Sequence, residues 1–222
     1  MIQRLTPQLR PALFFDRDGV IIHDAGYLKD AGVVRLIPGA AELIKRANQA
    51  GVAVVVVTNQ SGIGRTWITL ENYKSVSLRM IELLEKAGAK LDRIFFAPFF
   101  KTAEQSPYAA PEFEFETRGV KQKGLWDDHF RKPNPGMLLA AASALGLDLP
   151  GSVMIGDRIT DLAAAHHAGL SKFYFLNSDL MAEEIKDLAG WLAKLDRHKA
   201  GHFQYVMINT LDEVIVPKVG TV

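Results

Sequence analysis

Short apolar runs alternate with amphipathic stretches along the whole chain. The runs Leu13-Phe14-Phe15, Val52–Val57, Arg93–Phe96, Val153-Met154-Ile155, Phe173–Leu176 and Tyr205–Ile208 are close to continuously apolar. Such runs suit strands covered on both faces, as in a parallel sheet. Helical stretches separate them. One follows Pro38 over Gly39–Gln49 and stops before Gly51. Thr69 is placed to cap a second, which runs to about Lys86 and ends at Gly88. A third, Pro135–Leu145, has its proline in the first turn and Gly146 at its end. Thr160–Ala168, ended by Gly169, and Leu180–Leu195 complete the set. This alternation predicts an α/β fold: a doubly wound, Rossmann-like, mostly parallel sheet with helices on both faces. The whole chain, 1–222, reads as one domain. From about Lys101 to Arg131 the rhythm stops, and two readings stand side by side: a long functional loop, or a short hairpin around Phe113–Phe115.

Composition narrows the function classes. At 48% hydrophobic residues over 222 positions, the chain can bury a sizeable core and is not disordered. Lys+Arg 26 against Asp+Glu 25 leaves no basic excess for a dedicated nucleic-acid binder. With no cysteine, disulfides, thiolate nucleophiles and cysteine–zinc sites are excluded together. No apolar run reaches the roughly 20 residues of a membrane span, and Met1–Arg10 lacks the apolar core of a signal peptide. The expectation is a cytoplasmic protein, a monomer or weak homo-oligomer, with neither nucleic acid nor membrane as partner.

Candidate chemistry collects at the strand ends, where open α/β sheets bind ligands. There lie Asp16 and Asp18, Thr58 and Asn59, then Asp157 and Asp161, with Lys132 just before the Pro135 helix. Carboxylates are the oxygen ligands Mg²⁺ prefers, and a lysine with a hydroxyl can neutralise phosphoryl oxygens. In Phe15-Asp16-Arg17-Asp18-Gly19, one aspartate can attack phosphorus and the other can serve as acid and base. An EF-hand is excluded, because Ile21 stands where its glycine is required. The segment Thr58-Asn59-Gln60-Ser61-Gly62-Ile63-Gly64-Arg65 offers a phosphate or sugar cradle but is neither a P-loop nor a dinucleotide fingerprint. Asp157 and Asp161 are four apart, so a helix starting near Thr160 turns Asp161 back towards the strand end. Singly, each segment also reads as an ordinary turn, polar loop or helix cap; in this order at successive strand ends they form a set.

The four segments resemble motifs I to IV of the haloacid dehalogenase-like (HAD) phosphohydrolases, over roughly Leu13 to Gly169. Asp-Arg-Asp-Gly, Thr-Asn-Gln-Ser-Gly-Ile and Arg131-Lys132-Pro133-Asn134-Pro135-Gly136-Met137 are similar to the D,D-heptose 1,7-bisphosphate 7-phosphatases and the related histidinol-phosphate phosphatases. The resemblance implies a HAD-like fold without a large cap domain and a Mg²⁺-dependent phosphatase of a small phosphorylated metabolite. In it, Asp16 is the nucleophile, Asp18 the general acid/base, and Thr58 and Lys132 stabilise the transferring group. Asp16, the Asp18 carbonyl and Asp157 hold Mg²⁺, with Asp161 supporting. Asp24, Ala25, Gly26, Tyr27, Asn59, Gln60, Ser61, Arg65 and Arg131 match its substrate-recognition segments, and 22–35 is a flap beside the site.

The heptose enzymes carry a cysteine- and histidine-bound zinc where this chain has Ala97, Phe99, Asp128 and Phe130. No structural zinc is expected, and Phe99, Phe113, Phe115, Trp126 and Phe130 are expected to hold the segment 101–131 by burial. Val20 and His23 depart from the family's usual threonine and asparagine. His166 and His167 read as helix packing, and Trp191 and Leu192 as core. The rival to an enzyme is a catalytically silent sugar-phosphate-binding protein on the same fold.

Overall fold

The computed structural model describes residues 9–24, 26–100, 112–177 and 203–219, together with 186, 188, 190 and 193. The strands are β1 (Ala12–Phe15), β2 (Ala53–Asn59), β3 (Arg93–Ala97), β4 (Glu112–Thr117), β5 (Val120–Leu125), β6 (Val153–Gly156), β7 (Lys172–Leu176) and β8 (Gln204–Ile208). They form one sheet in the order β4-β5-β3-β2-β1-β6-β7-β8. Every pairing is parallel except β4 with β5. From β1 the chain winds outward through β2 and β3, then returns to build β6, β7 and β8 on the other side. The winding therefore reverses at the β1–β6 boundary, the kind of switch point at which open sheets leave a crevice.

Alternate side chains of the central strands feed two cores. Leu13, Phe15, Val54 and Val56 pack with helices α1 (Ala40–Gln49) and α3 (Leu70–Lys86) on one face. Ala12, Phe14, Val55 and Val57 pack with α4 (Gly136–Leu145) and α5 (Ile159–Ala168) on the other. This double burial is why the strands read as continuous apolar runs. Thr69 caps α3 as its sequence predicts: its hydroxyl accepts from Asn72 N at 3.1 Å, and Asn72 Oδ1 accepts from Thr69 N at 3.0 Å.

Between Lys101 and Arg131 the described residues include a hairpin rather than a continuous loop. β4 and β5 pair antiparallel, with Thr117 opposite Val120. Arg118 (φ 50°) and Gly119 (φ 77°) make the two-residue turn, the left-handed pair that suits a tight hairpin. Phe113 and Phe115 alternate with Glu112, Glu114 and Glu116, and both rings lie against Phe96. The helix expected over 180–195, with Trp191 and Leu192, falls almost wholly outside the described residues; 186, 188, 190 and 193 are helical. Among the described residues no helix is long and apolar enough to cross a membrane.

Candidate active site

Asp16 stands at the first position beyond β1, where its backbone N–H donates to the Ile155 carbonyl of β6 at 3.0 Å. That bond fixes it at the switch point. Asp157 follows β6 directly, and Asp161 lies in the first turn of α5, where its carboxylate accepts from Arg158 N at 3.2 Å. The turn of helix thus brings Asp161 back over the strand end. Ligand oxygens of Asp16, Asp157 and Asp161 all lie within 4.8 Å of one another.

Lys132 reaches this cluster from the segment before α4. It is 2% exposed, so its charge must be met within the protein. Its ammonium contacts Asp16 Oδ1 at 2.9 Å and Asp161 Oδ1 at 2.5 Å, and donates to the Val57 carbonyl at 2.8 Å. Burial disfavours the ammonium, but the two carboxylates outweigh burial and raise the pKa above the usual lysine value. Asn59 holds the lysine's backbone to β2 through reciprocal bonds, Nδ2 to Lys132 O and Lys132 N to Oδ1, both 3.0 Å.

Asp157 is the odd member. It is buried, and among the described residues neither carboxylate oxygen has a hydrogen-bond partner. Burial first, then the charges of Asp16 and Asp161, push its carboxyl up to about 8. Burial also lifts Asp161, to about 6, against the pull of Lys132. An octahedral Mg²⁺ has oxygens at 2.0–2.1 Å, which places its ligands about 3–4 Å apart. Three buried carboxylates, one with no partner among the described residues, fit such an ion in donor type and are gathered closely enough to converge on it.

Asp18 faces a different environment. Arg17 forks onto it, Nε to Oδ1 at 3.1 Å and Nη2 to both oxygens at 2.9 Å. Gln60 Nε2 donates to Asp18 Oδ2 and to Thr58 Oγ1, each at 2.9 Å. Burial raises the Asp18 pKa, with Arg17 opposing. Both of its oxygens are thus engaged, by Arg17 and by Gln60, at the edge of the carboxylate cluster in the same cleft. Gly19 makes the turn possible: its φ is +80°, and a Cβ there would run into the Asp157 carboxylate.

A cleft of 410 Å³ opens over Asp16, Asp18, Lys132 and Asp161, with Thr58 and Asp157 buried behind its lining. Asp24, Gly26, Tyr27, Asn59, Gln60, Ser61, Arg65 and Arg131 all line it; Ala25 lies outside the described residues. Ser61 begins a short helix, α2 (Ser61–Gly64), where the sequence reads as a loop, because four residues are too few to show a helical period. Arg131 and Arg65 are near neighbours: burial, then Arg65, lowers the Arg131 pKa. Phe130 is buried beside Phe95, Trp126 pairs with Phe99 at 5.6 Å, and His167 Nδ1 lies 3.1 Å from the Pro133 carbonyl.

Comparison with known proteins follows this geometry. The description "Haloacid dehalogenase-like hydrolase" matches residues 13–70, and "HAD-hydrolase-like" matches 129–191. The D-glycero-β-D-manno-heptose-1,7-bisphosphate 7-phosphatase of Mesorhizobium japonicum is 37% identical over 176 residues, 79% of this chain and 74% of that protein. The chain belongs to the haloacid dehalogenase-like hydrolases. A second relative, the D-glycero-D-manno-heptose-1,7-bisphosphate 7-phosphatase of Thermosynechococcus vestitus, is 39% identical over 72% of this chain and 76% of its own. The crystal structure of D,D-heptose 1,7-bisphosphate phosphatase from B. bronchiseptica shares the fold, with a TM-score of 0.64 at 24% identity, covering 88% of this chain and 92% of that one.

Three polar cleft residues of this HAD-like hydrolase were not singled out by sequence reasoning. Arg17 is 3% exposed and forks onto Asp18. An arginine between two aspartates at the end of an apolar strand is the signal that marks it. Arg158 reaches Asp24 Oδ2 at 3.4 Å, tying the loop after β6 to the segment after β1. Thr160, in the first turn of α5, also lines the cleft.

Proposed function

We propose that this protein is a Mg²⁺-dependent phosphohydrolase that works through an aspartyl-phosphate, and that its substrate is D-glycero-D-manno-heptose 1,7-bisphosphate, cleaved at the 7-phosphate. The observation that carries the reading is the meeting of Asp16, Asp157 and Asp161 around the buried Lys132 ammonium at the switch point. The same residues support a resident cation held by Asp16, Asp157 and the Asp18 carbonyl, with Asp161 behind them. Mg²⁺ bound there supplies charge neutralisation for the phosphoryl group.

The chain's own groups divide the rest of the work. Lys132 holds the Asp16 carboxylate by its Oδ1, so the other oxygen is left to attack phosphorus. Thr58 Oγ1 already accepts from Gln60, which leaves its hydroxyl proton to donate to a phosphoryl oxygen. Lys132 has all three donors occupied, so it contacts that oxygen only by exchanging one acceptor. Asp18, with its carboxyl raised by burial, protonates the leaving alkoxide and then takes a proton from the attacking water.

Arg65 and Arg131 stand together on the cleft wall, and two neighbouring guanidiniums favour a second anion. A bisphosphate supplies it. Histidinol phosphate, the alternative substrate, brings an ammonium group that this wall repels. The named relatives support the heptose assignment. Cytoplasmic location and a monomeric or weakly associated chain belong to the same reading.

Phosphate release in Mg²⁺ from both anomers of the heptose bisphosphate, histidinol phosphate and common sugar and nucleotide phosphates tests it. Preference for one heptose bisphosphate is the expected result. Preference for histidinol phosphate refutes the substrate, and no turnover of any compound favours the silent binding protein.

A further inference from the structure

The rim of the cleft carries a run of ring and guanidinium contacts that the proposed chemistry leaves unused. Tyr27, from the segment after β1, meets the Trp67 ring edge to face with centroids 4.6 Å apart. The Arg65 guanidinium carbon lies 4.7 Å from the centre of the Trp67 ring and 3.3 Å from that of Phe100. Trp67 follows α2 on the arginine's own segment and Phe100 follows β3, so two rings flank the arginine and Tyr27 backs one of them. Arg65 Nε is buried without a hydrogen-bond partner among the described residues. Among the described residues, rings and not a carboxylate supply the ion's close contacts here.

Core packing does not account for Trp67, which stays 49% exposed. A ring held at the surface over a guanidinium does something else. It attracts the cation through its π face and restricts the rotamers of a long side chain without neutralising it. An arginine restrained in this way keeps its full charge and its fork of donors for an incoming anion.

We propose that Trp67 and Phe100 are positioning residues that fix the Arg65 guanidinium for the second, non-reacting phosphate, and thereby set the preference for a bisphosphate over a monophosphate. This rests on the bisphosphate reading above. Tyr27 extends the contact to the segment after β1, so the same run of rings ties that segment to the arginine.

The test is kcat/KM for the heptose 1,7-bisphosphate and for the matching heptose 7-phosphate. Wild type, Trp67→Ala, Phe100→Leu, Trp67→Phe and Arg65→Ala are compared, with thermal unfolding of each as a check on folding. The bisphosphate-to-monophosphate ratio should fall about tenfold in Trp67→Ala and in Phe100→Leu, towards the Arg65→Ala value, through KM rather than kcat. Trp67→Phe keeps a ring and should retain most of the preference. Equal losses on both substrates, with the ratio preserved, would show a structural role only and overturn the assignment. So would a wild type with no preference between the two, or an Arg65→Ala variant that keeps it. A wild type that cleaves neither compound refutes the proposed function itself, and this assignment falls with it.

Discussion

The Lys132 ammonium bridges Asp16 and Asp161, at 2.9 Å and 2.5 Å, so a single buried cation ties the residue after β1 to the first turn of α5. It crosses the point where the sheet's winding reverses. The same contact aligns the proposed nucleophile and holds together the two halves of the sheet's crevice.

Lys132→Met keeps the length of the side chain and removes the charge, leaving Asp16 and Asp161 buried without their partner. Urea unfolding should show a loss of about 3–5 kcal/mol, the usual cost of breaking a buried pair. Phosphate release should fall about a hundredfold or more, as expected when a charge-stabilising donor is lost. A variant as stable as wild type would contradict the bridge.

Asp157 gives the metal-free protein a pH dependence. Its carboxyl is pushed from 3.8 to about 8, so between these values the folded state holds a proton that the unfolded chain has released. Stability of the EDTA-treated protein should therefore fall as pH rises through that window, and be lowest above it. Asp157→Asn should flatten the slope and, near pH 8, outlast metal-free wild type. Mg²⁺ should raise the melting temperature of wild type and do little for the variant. Equal slopes in the two proteins would refute the assignment of the buried charge.

Gly19→Ala tests the close approach behind Asp157. The position has φ +80°, and an added methyl meets the Asp157 carboxylate. Left-handed strain alone costs about 1–2 kcal/mol. Displacement of Asp157 should also weaken Mg²⁺ in a calorimetric titration. Unchanged Mg²⁺ affinity would show that Asp157 is not a ligand.

Thr69→Ala probes the fold without touching the cleft. Loss of the cap on α3 should cost about 1 kcal/mol while leaving phosphate release as in wild type.

Much of this was legible in the sequence, for reasons the structure makes plain. β1, β2, β3, β6 and β7 are covered on both faces, so their apolar runs are unbroken. α3 and α4 begin and end at Thr69, Pro135 and Gly146, whose backbone and capping preferences are local. The carboxylates could be read because strand ends in a parallel sheet all point the same way. What escaped depends on the third dimension. The fork of Arg17 onto Asp18 and the bond from Gln60 to Thr58 are side-chain choices that spacing does not reveal. α2 has too few residues for a period. The hairpin of β4 and β5 showed its alternation at Phe113 and Phe115, but its turn rests on a non-glycine residue, Arg118, in a left-handed conformation.

The most direct test of the account is phosphate release from the heptose 1,7-bisphosphate by wild type and Asp16→Asn, each in Mg²⁺ and in EDTA. The account predicts turnover only for wild type with Mg²⁺, and background in the other three samples. Turnover by Asp16→Asn at the wild-type rate would show that the carboxylate beyond β1 is not the nucleophile.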